Sequence, residues 1–301
     1  MRLITGGNGL IGRQLQGEIR PSSRALDLID LIAVEDFIAN TEPTEVIHAA
    51  ARVGGLYANM QDNYGFFEHN LQMNMNLLWA CKEHGVKKFV GFLSTCIFPN
   101  NAAYPLTEKQ IHDGPPHPSN CGYAYAKRML DVQVRLARRQ FGLDYKCIIP
   151  TNVYGPGDNF HLEQGHVIPA LIHRCYIAKQ LKTQMSVYGD GSAMREFIYS
   201  KDVAHVAEWM LDNYHDEEPL IVSTSQEVSI KHVVEMIVEI MGFDGKVVYD
   251  TNKPNGQHRK PTDTTKLRTV YPDFNPTSLF WGLKETIDWF VENYNHPDTR
   301  L

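Results

Sequence analysis

The first strand of this chain runs straight into a cluster of glycines. Arg2–Thr5 reads as a short strand, and Gly6-Gly7-Asn8-Gly9-Leu10-Ile11-Gly12 follows at once. Gly6, Gly9 and Gly12 recur at every third position. Glycine is needed where a strand turns sharply, where backbone approaches a pyrophosphate, and where a helix packs close on a strand. A helix is expected over Leu10–Ile19. Its N-terminus would offer N–H donors and partial positive charge to phosphates. A tight structural turn is the bland reading, but a glycine run placed between strand and helix points to a dinucleotide-binding start.

The rest of the chain extends that beginning. Thr44–Ala50, Lys87–Leu93 and Asp144–Pro150 are apolar runs of the kind a buried parallel strand needs. Between them lie helical stretches at Asn63–His84, with Gly85 as terminator, and at Gly122–Phe141. Strands separated by helices predict an α/β fold with a doubly wound parallel sheet and right-handed crossovers. Past Thr151 the pattern changes. Asn152–Gln164 reads as a loop, Gly165–Ile177 as a helix opening at a His, and Met185–Tyr199 as two short strands around a glycine turn. Val228–Met241 and Leu279–Tyr294 read as amphipathic helices, with a polar, basic loop at Asp250–Thr262. The expected division is a dinucleotide-binding domain over 1–155, with returning segments at about 196–225. A smaller α/β substrate-binding lobe would take 156–195 and 226–301.

Composition narrows the function classes. The net charge is -6 and no basic stripe appears, which argues against a nucleic-acid surface. No apolar run is long enough to span a membrane, and the early strand leaves no room for a signal peptide. The five cysteines, Cys81, Cys96, Cys121, Cys147 and Cys175, are scattered and lack a Cys-x-x-Cys pair. They read as reduced thiols of a cytoplasmic protein, with neither a disulfide framework nor a metal site.

Cofactor choice rests on the residues about twenty positions after the glycines, where an acid would hold ribose hydroxyls and an Arg a 2′-phosphate. Here Ser22, Ser23 and Arg24 come first and Asp27 follows. The charge argument favours NADP(H), with Arg24 as an ordinary solvated residue the alternative. Tyr123 and Lys127 form Tyr-x-x-x-Lys, which places both on one helix face. The ammonium would favour phenolate and make Tyr123 a usable acid near neutral pH. Ser94 stands at a strand end that faces the ligand crevice of a parallel sheet. A lone Cys or His in such places is more often packing or a cap.

Together Thr5–Gly12, Ser94, Tyr123 and Lys127 resemble the extended short-chain dehydrogenase/reductases, a Rossmann-like superfamily. Within it, Leu93–Pro99, Pro150–Pro156, Asp158-Asn159-Phe160, His166–Pro169 and Met194–Phe197 closely resemble the GDP-L-fucose synthases. The resemblance runs from residue 1 into the C-terminal helices, and implies a combined epimerase and reductase. The substrate would be GDP-4-keto-6-deoxy-D-mannose, epimerised at C3 and C5 through an enolate and then reduced at C4 with NADPH. Cys96 and His166 match the pair that exchanges protons with carbon, while Ser94 and Tyr123 would stabilise the enolate oxygen. Ala49, Ala50, Phe92, Leu93, Ser94, Thr95, Pro150, Thr151, Asn152, Val153 and His166 would line the cofactor, and Lys127 would bond its ribose. Arg174, Tyr188, Arg195 and Asn255 would meet the nucleotide-sugar. A homodimer through Asn63–His84 and Gly122–Phe141 is implied as well.

Three positions depart from the family pattern. Gly157 stands where a His is usual, Tyr188 where a Trp is common, and Asn255 where members often have Asp. Two rival readings differ in class. One is another nucleotide-sugar 4-keto reductase or epimerase of the extended type, which would not need both Cys96 and His166. The other is a non-catalytic dinucleotide-sensing protein, which would not need Ser94, Tyr123 and Lys127.

Overall fold

Buried β-rich runs become strands and the amphipathic stretches between them become helices. The computed structural model describes residues 1–253 and 257–301, and of residues 56 and 57 the backbone alone. The first part comprises β1 (Arg2–Thr5), α1 (Leu31–Thr41), β2 (Glu45–His48), α2 (Leu56–Gln61), α3 (Asn63–Glu83), β3 (Lys88–Phe92), α4 (Cys121–Phe141) and β4 (Asp144–Pro150). It continues with β5 (Asn152–Tyr154), α5 (Val167–Leu181), β6 (Met185–Tyr188), β7 (Met194–Tyr199), α6 (Ser200–Asn213) and β8 (Leu220–Val222). The last part holds β9 (Glu227–Ser229), α7 (Ile230–Met241), β10 (Val247–Asp250), α8 (Thr265–Val270) and α9 (Leu279–Asn293).

The central sheet has the order β1-β2-β3-β4-β8, all parallel. One face packs on α1, α3 and α4 through residues such as Val34, Leu77 and Leu130. The opposite face packs on α6 through Val203, Val206 and Met210. Helices on both faces explain why the strands are apolar throughout. Thr5 pairs with His48 and His48 with Gly91, so the carboxyl ends of three strands lie level. A third buried cluster gathers α5, α7 and α9 with β6 and β7.

One expected element is absent. The helix over Leu10–Ile19 is only a single 3-10 turn at Gly12–Gln14, after which Leu15 is extended. Ile19 instead bridges Leu3 in parallel, adding a short edge beside β1. Two residues account for this. Gly17 lies against β1 so closely that a Cβ would come 2.7 Å from Ile4 Cγ1. Arg20 donates to the carbonyls of Gly7 (2.9 Å), Gly12 (2.7 Å) and Leu15, so its guanidinium satisfies groups that a longer helix would have bonded. The Asn152–Gln164 loop also opens with β5, which pairs β7. Helix α1, which hydrophobic periodicity alone does not single out, starts where Asp30 accepts from Ile32 N and Ala33 N.

Candidate active site

Above the level strand ends lies a cavity of about 890 Å³. Gly6 through Gly12 form its floor, and Gly6 has φ +70°, a conformation that L side chains rarely adopt. A Cβ there would come 2.6 Å from Ala50 N, and one on Gly12 would overlap the Gly6 carbonyl oxygen. Beneath the turn, Thr5 Oγ1 lies 2.7 Å from His48 Nδ1, and His48 Nε2 donates to Asn74 Oδ1 at 2.9 Å. All three side chains are buried. Burial, and then the charge of Lys127, push the His48 imidazole down to about 3, with the Asn74 bond opposing. A neutral ring therefore ties β1, β2 and α3 together under the turn.

Three elements bring the expected catalytic groups to the cavity. Ser94 ends the β3 segment and accepts from Cys96 N at 3.4 Å, capping the 3-10 turn Thr95–Ile97 that carries the thiol. Helix α4 supplies Tyr123 and Lys127. Its first turn crosses α3 so closely that Asn63 Oδ1 accepts from Gly122 N at 2.8 Å, and a Cβ on Gly122 would overlap Asn63 O. Lys127 Nζ donates to the Phe92 carbonyl at 2.8 Å, locking α4 to the end of β3. His166 occupies the N-cap position of α5 without a side-chain capping bond and lines the same cavity.

The electrostatics differ in one respect from the expectation. Lys127 Nζ stands 5.8 Å from the Tyr123 ring centroid. Burial, with the charge of Cys96, nevertheless pushes the Tyr123 phenol up, and burial pushes Lys127 down to about 8. The lysine alone does not deliver a low phenol pKa. Burial also raises the Cys96 thiol, opposed by the Ser94 hydrogen bond and by Lys260 and Lys127.

The wall collects most of the expected cofactor residues. Gly6, Gly7, Asn8, Gly9, Leu10, Ile11 and Gly12 are joined by Ser22, Ser23, Ala49 and Ala50. Phe92, Leu93, Ser94, Thr95, Pro150, Thr151, Asn152, Val153 and His166 complete that set. Thr151 Oγ1 is buried without a hydrogen-bond partner, a polar atom aimed at a ligand-sized space. Arg24 is exposed and not on the wall. Among the expected substrate residues Arg195 lines the cavity, whereas Arg174 and Tyr188 stand apart and stack on each other at 3.7 Å. Asn255 lies outside the described residues.

Asp27, weighed beside Arg24 in the cofactor choice, does line the wall, and sequence reasoning missed Asp158, Gln257, Lys260 and Arg300. Asp158 is buried. Asn159 N bonds its Oδ1 at 2.7 Å, and its Oδ2 has no partner. Burial raises this carboxyl, opposed by the charges of His166, Arg300 and Arg13 and by the Asn159 amide. Arg300 Nη2 donates to Gly157 O at 2.8 Å. Nothing short of the folded chain brings residue 300 beside residue 158.

Comparison with known proteins settles the kinship. The model of the "NAD dependent epimerase/dehydratase family" matches residues 2–223. GDP-L-fucose synthase of Dictyostelium discoideum is 44% identical over 97% of this chain and 95% of its own length. The chain belongs to the GDP-L-fucose synthase family. The Escherichia coli (strain K12) GDP-L-fucose synthase is 35% identical over 96% of each chain. A crystal structure of a GDP-L-fucose synthetase from Naegleria fowleri bound to NADP superposes with TM-score 0.94 at 41% identity. It covers 100% of this chain and 94% of that one.

Gly157 has φ +75°, and a Cβ there would overlap the Arg13 guanidinium, which reaches across to donate to Asn8 O at 3.0 Å. The arginine fills the space that a side chain at 157 would take. Among the described residues no helix is long and apolar enough to cross a membrane, and no cluster of His, Cys, Asp or Glu could hold a metal ion.

Proposed function

We propose that this chain is a GDP-L-fucose synthase, using NADP(H) in the glycine-floored cavity to convert GDP-4-keto-6-deoxy-D-mannose to GDP-L-fucose. The observation that carries it is the convergence of Ser94, Tyr123 and Lys127 with both Cys96 and His166 on one cavity. A simple reductase needs the first three, and only an epimerising one needs the thiol and imidazole as well. NADPH supplies the hydride for reduction at C4 when bound. The cradle fits a dinucleotide, since Gly6 and Gly12 leave no room for side chains where backbone must approach it.

The chain's residues divide the remaining work. Ser94 and Tyr123 donate to the C4 oxygen, which becomes an enolate oxygen during epimerisation. Cys96 and His166 take and return the protons at C3 and C5. Tyr123 then protonates the C4 alkoxide, and Lys127 positions the cofactor ribose from its anchor on the Phe92 carbonyl. Ser22 and Ser23 on the wall would hold the 2′-phosphate, with the exposed Arg24 next in sequence as its cation. Arg195 binds the pyrophosphate of the sugar nucleotide, and Arg174, Tyr188 and Asn255 complete that side. The division between lobes falls near residues 155, 195 and 225.

Exposed Tyr64, Met75 and Trp79 on α3 and Tyr125 and Leu136 on α4 form an apolar stripe. Helices α3 and α4 pair on that basis with those of a second copy, and a monomer in sedimentation analysis would contradict this. Five free cysteines fit a reducing, cytoplasmic setting. Incubation with GDP-4-keto-6-deoxy-D-mannose and NADPH, followed by identification of the sugar, tests the activity. GDP-L-fucose is the expected product, and a product reduced at C4 without inversion at C3 and C5 would overturn the reading.

A further inference from the structure

The basic loop Asp250–Thr262 places one lysine with unusual firmness. Met194 N bonds the His258 carbonyl at 2.8 Å, and Leu106 N bonds the Pro261 carbonyl at 2.9 Å. Thr262 is held by buried Glu196, which accepts from Thr262 Oγ1 at 2.5 Å and Thr262 N at 3.2 Å. Ser223 Oγ donates to the same carboxylate at 2.8 Å. Lys260 sits between these anchors. Its Nζ donates to the Thr95 carbonyl at 2.7 Å, on the turn that carries Cys96. Both side chains line the cavity.

Three cations interact with the Cys96 thiol through charge. Lys127 is committed to the Phe92 carbonyl. Arg128 donates to the Ile97 carbonyl at 2.5 Å and the Gly114 carbonyl at 2.7 Å, and its Nη2 is buried without a partner. The Lys260 ammonium makes one bond, to Thr95, and keeps two N–H donors. Ser94 Oγ and the Tyr123 phenol are the remaining ionisable or polar groups near the thiol. Burial lowers the Lys260 ammonium, the charge of Cys96 opposes this, and Arg195 adds to the lowering.

We propose that Lys260 is a positioning residue for the epimerisation half-reaction, favouring the thiolate form of Cys96 that removes a proton from carbon. In that step the C–H bond breaks and an S–H bond forms. The electron pair moves to the C4 oxygen, giving the enolate, and Ser94 and Tyr123 donate to that oxygen. Burial alone would keep the thiol protonated and inert. A fixed ammonium beside it offsets part of that cost. The proposal rests on the epimerase reading above, but its test does not.

The test is the pH profile of iodoacetamide alkylation at Cys96 in the substrate-free full chain, read by peptide mass spectrometry. Lys260→Gln keeps a donor for the Thr95 carbonyl and removes the charge. Its profile should move up by about one pH unit, with alkylation about tenfold slower near neutrality. Lys260→Arg should restore the wild-type profile. Superposable profiles for wild type and Lys260→Gln would overturn the proposal, including the case in which only KM for the sugar nucleotide rises, which would mark Lys260 as a phosphate ligand. Thermal melts confirm that each variant is folded. A separate measurement, solvent deuterium exchange at C3 and C5 by Cys96→Ser, isolates the epimerase reading. Wild-type exchange in that variant would remove Cys96 as base whatever Lys260 does.

Discussion

Replacing Gly12 with Ala should weaken NADPH binding far more than replacing Gly7, only five residues earlier. The added methyl at 12 would overlap the Gly6 carbonyl oxygen and approach Gly6 C at 2.8 Å and Gly7 Cα at 2.9 Å. All three are backbone atoms that cannot rotate away. Overpacking of that kind costs about 1–3 kcal/mol. If the strain falls on the turn in its cofactor-binding shape, the affinity drops by about 5- to 150-fold. If it falls on the fold as well, the melting temperature drops by about 2–4 °C for each kcal/mol. A methyl at 7 would meet only the Arg20 side chain, with its nearest atom, Nε, at 3.4 Å. Arg20 can shift by a few tenths of an ångström, so Gly7→Ala should stay within about twofold of wild type. Fluorescence titration with NADPH on both variants, with melts alongside, measures the contrast. Equal affinities for Gly7→Ala and Gly12→Ala would refute the claim that this turn is shaped for close approach of a dinucleotide.

Two further outcomes follow from the site geometry. Tyr123→Phe should lower kcat by about 10²–10⁴-fold while leaving NADPH affinity unchanged, in steady-state assays and titration, because the phenol hydroxyl is the proposed acid. Unchanged turnover would remove Tyr123 from that role. His48 should make the fold acid-sensitive. Its folded value of about 3 lies below the ordinary histidine value of 6.5, so the unfolded chain takes up the proton first. The stability is therefore complete above about pH 6.5 and is lost as pH falls towards 3, by about 3 kcal/mol at pH 4. Urea unfolding of wild type and His48→Gln at neutral and acidic pH reads the difference, and equal acid losses in both would contradict the buried neutral ring.

Much of the fold is legible in the sequence, for identifiable reasons. Strands buried on both faces announce themselves as apolar runs, so Asp144–Pro150 is found with its observed bounds. Lys127 is legible because a four-residue helical spacing fixes its direction. The missing first helix is not. Leu10, Ile11, Leu15 and Ile19 have a plausible helical spread, but Gly17 and the side chain of Arg20 decide the path through contacts that have no period. Asp158, Lys260 and Arg300 were invisible for another reason. Each joins the cavity through long-range placement, as when buried Glu196 pins Thr262 beside Lys260. The direction of the Tyr123 pKa is not legible either, since spacing shows the nearby lysine but not the burial that outweighs it.

One cavity is proposed both to epimerise and to reduce. The most direct measurement incubates the protein with GDP-4-keto-6-deoxy-D-mannose and NADPH in deuterium oxide and locates deuterium in the purified product. The expected product is GDP-L-fucose carrying solvent deuterium at both C3 and C5, with NADPH consumed in equal amount. A C4-reduced sugar with protium retained at C3 and C5 would contradict it.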